Sequence, residues 1–396
     1  MKKMGRLAKQ HEETELVVVG AGLAGVCAAI AAARRGIRVT LIEKESSPGG
    51  MAAGLRHRFM CGLFTNSASA PRKYLNRGLT EEVCRQVSSR KAPVKMGKVW
   101  LLPYDPDRLM IVLHALLTRE RNIQVSYGSK VISCSLQAGS IQSVQYSCFG
   151  KLCQFNAAVF IDAGVGILLD KCKAFIPLDP LKRQMSGFAV EMDGVPWDDD
   201  LSFRVPYVLY QAVQREALPL YARWTVVMPC AEKGRLYLKL SLPAMGGLPL
   251  AGQTAMAIVR ILRQKISAFS SAKIVWQAPD VFSRDVDRLD GRYVFKDNDL
   301  LVGKKFSDAV VKGSWPMEFW DLKRGPQYRY LNGDHYELPL RSLRANKVFN
   351  LFSAGRSVSA EPGAQASLRV GGLCLATGEA AGNAAVDYLK NASVTE

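Results

Sequence analysis

The sequence predicts an α/β protein: a parallel-sheet domain built from both chain ends, carrying a small inserted β-meander, with an α+β domain inserted in the middle. Three observations carry this prediction. Leu16–Val19 runs directly into a glycine-spaced turn and an alanine-rich helix. A second short apolar run ends on an acid, Glu43. Near the C-terminus a strand-like run closes on Gly355 and is followed by a helix of small residues.

Leu16–Val19 is a short, continuous apolar run, as expected of a strand buried on both faces of a parallel sheet. Gly20-Ala21-Gly22-Leu23-Ala24-Gly25 follows, then the helical stretch from Val26 to Arg35. Each glycine has a task in a Rossmann-like nucleotide site. Gly20 allows the tight turn, Gly22 lets a pyrophosphate approach the backbone, and Gly25 lets the helix sit close on the strand. The helix start offers free N–H groups and a partial positive charge to the phosphates. The second strand, Ile37 to Ile42, ends at Glu43, 18 residues beyond Gly25, where a carboxylate can take both ribose hydroxyls. The spacing alone is a weak signal. Strand, helix, strand and terminal acid around it make it strong.

Length and composition set the bounds. The 396 residues, 48% hydrophobic and 22% charged, suit two domains sharing an interface. The expected division is 1–170 for the first part of the nucleotide domain, 171–334 for a substrate or cap domain and 335–396 for the returning part. Only the polar first dozen residues and the last few have the composition of disordered ends. Leu16 to Ala33 carries no charge for 18 residues and imitates a signal peptide or short span. Glu12, Glu13 and Glu15 before it, and the glycines within it, favour a buried strand and helix and no transmembrane segment. Nine cysteines at irregular spacing, with no CxxC pair, do not read as a disulfide framework, and His11, His57, His114 and His335 lack metal-ligand spacing. A reducing cytoplasm is the expected compartment, and no metal is expected.

Val348 to Ser353, then Ala354, Gly355 and Arg356, reads as a strand closing on glycine. Glu361 to Val370 reads as a loop, and Gly371 to Leu389 as a helix whose start would face the cofactor ring. From Ile123 to Ile161 the pattern alternates, with turns at Ala138-Gly139 and Phe149-Gly150, as in a meander. The middle contains strand-like runs at Tyr221 to Met228 and Arg235 to Leu242 and one clear helix, Gly252 to Phe269. Gly246-Gly247 lacks an acid-ended strand, so no second dinucleotide fingerprint is present.

Several segments resemble the bacterial FAD-dependent oxidoreductase family of the glutathione-reductase-like superfamily. They are the loop Lys44 to Met51 with Gly49-Gly50, the run from Tyr104 to Leu109, Ser283 to Arg288 with Gly291 and Tyr293, Tyr336 to Leu343, Gly355-Arg356, and Gln365 to Val370. The resemblance is faint from 171 to 280. It departs at Ile161-Asp162-Ala163-Gly164-Val165-Gly166, where a threonine and an acid of the family's usual pattern are missing. The resemblance implies FAD rather than NAD. With the glycine-loop reading, it implies cofactor contacts at Gly20, Gly22, Leu23, Ala24, Gly25, Glu43, Lys44, Gly49, Gly50, Met51, Val131, Ala163, Gly164, Gly355, Arg356, Gly371 and Gly372. It also implies that Arg56 to Phe64 reaches the flavin ring.

That segment concentrates candidate chemistry. His57 and Cys61 are candidates for proton transfer, for a thiol partner of the flavin or for a covalent tether. The plainer reading makes Cys61 a small packing residue and His57 a hydrogen-bonding loop residue. Arg369 is a candidate anchor for an anionic substrate, and His335 a weaker candidate of the same sort. Tyr104, Tyr328 and Tyr336 read as packing or pocket lining.

The formal charge, 53 − 35 = +18, suits an anionic small molecule, an acidic carrier protein, an acidic membrane surface or a polyanion. Its basic residues are scattered rather than blocked, so nucleic acid is the less favoured partner. Lys182, Arg183, Lys304, Lys305 and Arg341 are the residues expected to steer such a partner. The leading expectation is a flavin dehydrogenase, oxidase or desaturase passing hydride between an anionic or carrier-linked substrate and flavin N5. A tRNA-modifying flavoprotein and a flavin-bearing subunit without turnover are the alternatives.

Overall fold

The computed structural model describes residues 14–89, 92–180 and 183–394. Lys182 and the charged residues before Thr14 therefore lie outside the described residues. A five-stranded parallel sheet stands at the centre, in the spatial order Leu351–Ser353, Val159–Asp162, Leu16–Val19, Val39–Ile42, Ile123–Ser126. Leu16–Val19 and Val39–Ile42 are buried throughout, as their uninterrupted apolar sequence requires. The strand from the far end of the chain, Leu351–Ser353, joins the same sheet, so both termini build one domain.

Helix Leu23–Arg34 follows the glycine turn, and helix Gly371–Val394 lies across it. A Cβ on Gly378 or Gly382 would run into the Ala24 or Ala28 carbonyl, so the two helix backbones are in direct contact there. This explains why both helices are rich in small residues: neither has room for larger ones at the crossing.

The meander forms as Ser129–Gln137, Ser140–Cys148 and Lys151–Asn156. Its turns fall at the expected dipeptides, with φ of 48° and 75° at Ala138-Gly139 and 46° and 78° at Phe149-Gly150. Two successive positive φ values match the right-handed twist of a tight hairpin. The ends of the alternating run, Ile123–Ser126 and Val159–Asp162, belong to the parallel sheet instead.

The inserted domain is a four-stranded antiparallel sheet, Val226–Pro229, Leu236–Leu242, Ser186–Asp193, Lys273–Gln277, backed by helices Leu201–Gln214 and Leu248–Lys265. Leu236, Leu238, Leu240 and Leu242 face the helices and form its core with Phe188, Ile258 and Leu262. Strand alternation puts Tyr237, Lys239 and Ser241 on the opposite face. In register beside them stand Glu191, Ala189 and Gly187. That face rests on the loop after the glycine-rich turn: the Tyr237 hydroxyl donates to Leu55 O at 2.8 Å.

The segment 171–334, expected as one substrate domain, is divided between cores. Phe295, Val311, Trp315 and Met317 share a core with Tyr336, Leu368 and Leu373, alongside the C-terminal helix. Trp320 alone of that stretch joins the cap core. Two elements depart from the sequence expectation for local reasons. Pro362–Leu368 is a helix rather than a loop, because proline and glycine at its start are compatible with a first helical turn. Leu201–Gln214 is a second cap helix whose Pro206 disguised it.

Candidate active site

The glycine-rich turn is shaped by contacts that side chains would prevent. Gly20 has φ 95°, and a Cβ there would sit 2.7 Å from Gly164 Cα. A Cβ on Gly25 would meet Gly20 O. Gly22 differs, because a Cβ there would meet nothing within 4 Å. Its absence is therefore not needed for folding, and the free space beside it fits the approach of a pyrophosphate. Gly49, at φ 115°, lies in a bridge with Gly22, and its N–H donates to Ala21 O at 2.8 Å.

Glu43, 6% exposed, accepts from Ala21 N at 2.5 Å and from Glu45 N at 2.9 Å. Its carboxylate thus sits at the open end of the sheet beside the glycine turn. Lys44 points into solvent and pairs with Glu45. Leu23 and Ala24 are buried, and Met51 packs on the cap core. The Val131 side chain lies in the core under the meander, while its strand begins where Ser129 N donates to Glu43 O. Ala163 N continues the ladder to Val19 O. Gly355, at φ 76°, donates to the Thr377 hydroxyl, and Arg356 donates to Ser283 O at 2.6 Å. A Cβ on Gly371 would strike Met60 Sδ, and Gly372 N donates to Cys61 O at 2.9 Å. The C-terminal helix start is thereby tied to the segment that carries Cys61. Asp162 is wholly buried and accepts from four backbone N–H groups, those of Gly164, Gly166, Leu168 and Leu169. It organises the turn in which the expected threonine and acid are missing.

The segment 56–64 splits into two roles. Arg56 and Arg58 both bind Glu191 of the cap sheet, and Arg56 also grips Asp107. They fasten the cap rather than face a substrate. His57 and Cys61 instead lie within electrostatic reach of Lys239 and of Arg369, from the other end of the chain, and His57 also of Arg284. Burial, then the charges of Lys239, Arg284 and Arg369, push the His57 imidazole down to about 3. It is neutral at pH 7, and its Nε2 is buried without a hydrogen-bond partner. Burial, then Glu318, pushes the Cys61 thiol up to about 12, so it is not a thiolate. Neither group therefore carries a charge of its own at neutral pH.

Trp320 and Gln184 form the hub of this cluster. The Arg284 guanidinium stands 4.4 Å from the Trp320 ring centre and Lys239 Nζ 5.6 Å. Trp320 N donates to Gln184 Oε1 at 3.0 Å, and Arg369 Nη2 donates to Glu318 O at 2.9 Å and reaches Gln184 Oε1 at 3.4 Å. Burial, then Arg284, brings the Lys239 ammonium down to about 8. Arg284 is likewise pushed down by burial and by Arg369, although a guanidinium stays charged at neutral pH.

Sequence reasoning found His57, Cys61 and Arg369 but missed Lys239, Arg284, Glu318 and Gln184. One signal was present: Leu-Tyr-Leu-Lys-Leu-Ser-Leu over 236–242 puts a lysine amid a half-buried strand. His335, by contrast, lies beside Glu337 at 3.6 Å and makes no contact with this cluster among the described residues. Lys304 pairs with Asp299, Arg341 with Asp308, and Lys305 donates to His335 O. All nine cysteines are free, with Cys134 and Cys172 thiols 3.1 Å apart. No helix among the described residues is long and apolar enough to cross a membrane.

A glycine turn with one glycine left free, an acid at the next strand end and a returning C-terminal strand define a dinucleotide-binding flavoprotein fold. The comparisons agree. The family described as "FAD dependent oxidoreductase" matches residues 15–177 and 243–395, and the chain belongs to it. FAD is its cofactor, and it is an FAD-dependent oxidoreductase. Hydroxyneurosporene desaturase of Rhodobacter capsulatus is 55% identical over 42 residues, which cover 11% of this chain and only 8% of that enzyme. The structure of a geranylgeranyl bacteriochlorophyll reductase-like protein from Thermoplasma acidophilum is similar at a TM-score of 0.50 and 12% identity, covering 97% of this chain and 80% of that one. OxyS anhydrotetracycline hydroxylase from Streptomyces rimosus is similar at 0.50 and 12%, covering 96% and 62%. At these identities the likeness concerns the fold.

Proposed function

We propose that this enzyme transfers hydride between an organic substrate and the flavin, with the substrate held where the cap sheet meets the parallel-sheet domain. The single observation that carries the reading is the convergence of His57, Cys61, Arg369, Lys239 and Arg284 at that junction, from four separated stretches of chain. Bound FAD supplies a two-electron acceptor or donor for a substrate C–H bond. Gly22 leaves room for its pyrophosphate, and Glu43 offers the ribose a carboxylate already oriented by two backbone N–H groups. The cap sheet, fastened through Glu191, covers the junction and keeps water from it. Uncharged His57 and Cys61 suit a step in which no thiolate attacks. Lys239 is the flexible proton-carrying group whose affinity lies nearest neutrality.

The glycine turn, acid-ended strand and inserted meander also support placement in the glutathione-reductase-like superfamily. Nine unpaired cysteines suit a reducing cytoplasm. The test is anaerobic titration of the yellow holoprotein with a broad panel of metabolites. The expected outcome is bleaching of the visible flavin band by one chemical class. A flavin that no member of the panel reduces would count against the reading, and salt-sensitive binding of tRNA would favour the nucleic-acid alternative.

A further inference from the structure

Buried cations ordinarily have partners, because an unpaired buried charge is costly. The cap junction departs from this. Arg284 is 4% exposed, and one of its guanidinium nitrogens donates to Met185 O while the other, Nη2, is buried with no partner. Arg369 Nε is likewise buried and unpartnered. Among the described residues nothing accepts from the Nζ of Lys239, which stands half-buried beside them. Two acids, Glu318 and Asp285, stand near these three charges and leave one positive charge over, and their oxygens are already occupied. Glu318 gives one oxygen to each of the Trp315 and Trp320 indole N–H groups, and Asp285 gives both of its oxygens to Gln184. The cluster therefore holds an excess of positive charge and two donors aimed at nothing within the chain.

We propose that Arg284, Arg369 and Lys239 form a binding site for the carboxylate of a small free organic acid, which is the substrate of this enzyme. The proposal rests on the hydride-transfer reading and deepens it. A carboxylate has two oxygens with about four lone-pair positions, enough for two guanidinium N–H donors and an ammonium. Charge-assisted hydrogen bonds of this kind are roughly twice as strong as neutral ones. The Trp320 ring beneath Arg284 and Lys239 gives the site a flat apolar wall. The position distinguishes a substrate carboxylate from the cofactor's phosphates, which Gly22 and the helix at Leu23 accommodate at the end of the parallel sheet. Lys239 and Gln184, moreover, lie between residues 178 and 242, the stretch outside the family match. A free acid fits better than a carrier-linked one because the cations are inside the junction, whereas Lys304 and Arg341 on the surface are already paired.

The experiment uses the flavin-loaded protein and reads two signals, the visible flavin spectrum and the melting temperature. Acetate, succinate and benzoate are titrated beside acetamide, succinamide and benzamide, with inorganic sulfate as a control for any anion. At least one carboxylate should give a saturable spectral change and a higher melting temperature, while its amide gives neither. Lys239→Met and Arg284→Lys should each weaken that binding by about tenfold or more. The first keeps the side chain's length at a partly exposed position, and the second keeps the charge while removing the free N–H, so both are expected to fold. Arg85→Ala, at an exposed position where Arg85 pairs with Glu81, should leave the affinity unchanged. Equal effects of acid and amide, sulfate binding as tightly as the best carboxylate, no binding by any probe, or binding indifferent to both variants would overturn the site. The two readings fail separately. A flavin bleached only by a neutral compound overturns the carboxylate site and spares hydride transfer. Carboxylate binding with a flavin that nothing reduces does the reverse.

Discussion

At the glycine-framed end of the parallel sheet, polar groups are matched before any ligand arrives. Glu43 has two backbone donors, Gly49 N reaches Ala21 O, and Asp162 has four N–H groups. At the cap junction the reverse holds: His57, Arg284 and Arg369 keep buried nitrogens without partners, and three cations share space with two acids, Glu318 and Asp285, whose oxygens are already taken by Trp315, Trp320 and Gln184. Both regions serve one enzyme, yet the first is shaped by steric necessity and the second by unresolved charge. The difference teaches that residues which frame the cofactor stabilise the fold, while residues which await the substrate burden it.

Substitutions sharpen this contrast, and the largest effect belongs to the first region. Gly25→Val forces a side chain into Gly20 O, so soluble folded protein should be lost. Gly22→Val, three residues away, adds a Cβ that meets no atom within 4 Å and should fold normally while losing flavin. Expression yield, circular dichroism and flavin content separate the two outcomes. A Gly22 variant that keeps its FAD would show that the free space there is not the cofactor's.

Next comes the clamp between the regions. Glu191→Gln leaves Arg56 with Asp107 alone and Arg58 with no counter-charge among the described residues. Removing one member of a buried pair costs on the order of 3 kcal/mol. Denaturant unfolding should show a loss of that order with the cap loosened first. A loss below about 1 kcal/mol would mean that water reaches both arginines as the cap stands.

The smallest effect has the opposite sign. Lys239→Met should stabilise the ligand-free protein at pH 7 by about 1 kcal/mol. The folded-state ammonium lies near 8 against an ordinary 10.5, so the unfolded chain binds the proton more tightly. Wild-type stability therefore falls as pH drops from about 10.5 to about 8 and is level below that, as far as this group is concerned. The variant's gain should be complete below pH 8 and should vanish near pH 10.5. Melting curves at pH 7, 9 and 10.5 measure it. A variant less stable than wild type at pH 7 would place Lys239 with the matched polar groups of the first region.

What was legible in the amino-acid sequence was whatever depends on neighbours along the chain. Leu16–Val19, the spacing of Gly20, Gly22 and Gly25, the acid at Glu43 and the meander turns at Ala138-Gly139 and Phe149-Gly150 each state a backbone conformation within a few residues. Local sterics and burial then leave little choice of structure. His57, Cys61 and Arg369 could be singled out by residue type, but nothing along the chain says that Arg56 and Arg58 face Glu191 while His57 between them turns inward. Nor does it say that Lys239, Arg284 and Arg369, 45 and 85 residues apart in turn, meet around Trp320. Those meetings follow from register in the cap sheet and from the way that sheet settles on Leu55. Electrostatics and desolvation depend on distance in space rather than in sequence, so the charge balance of the junction, and with it the chemistry proposed there, was decided only when the two domains closed on each other.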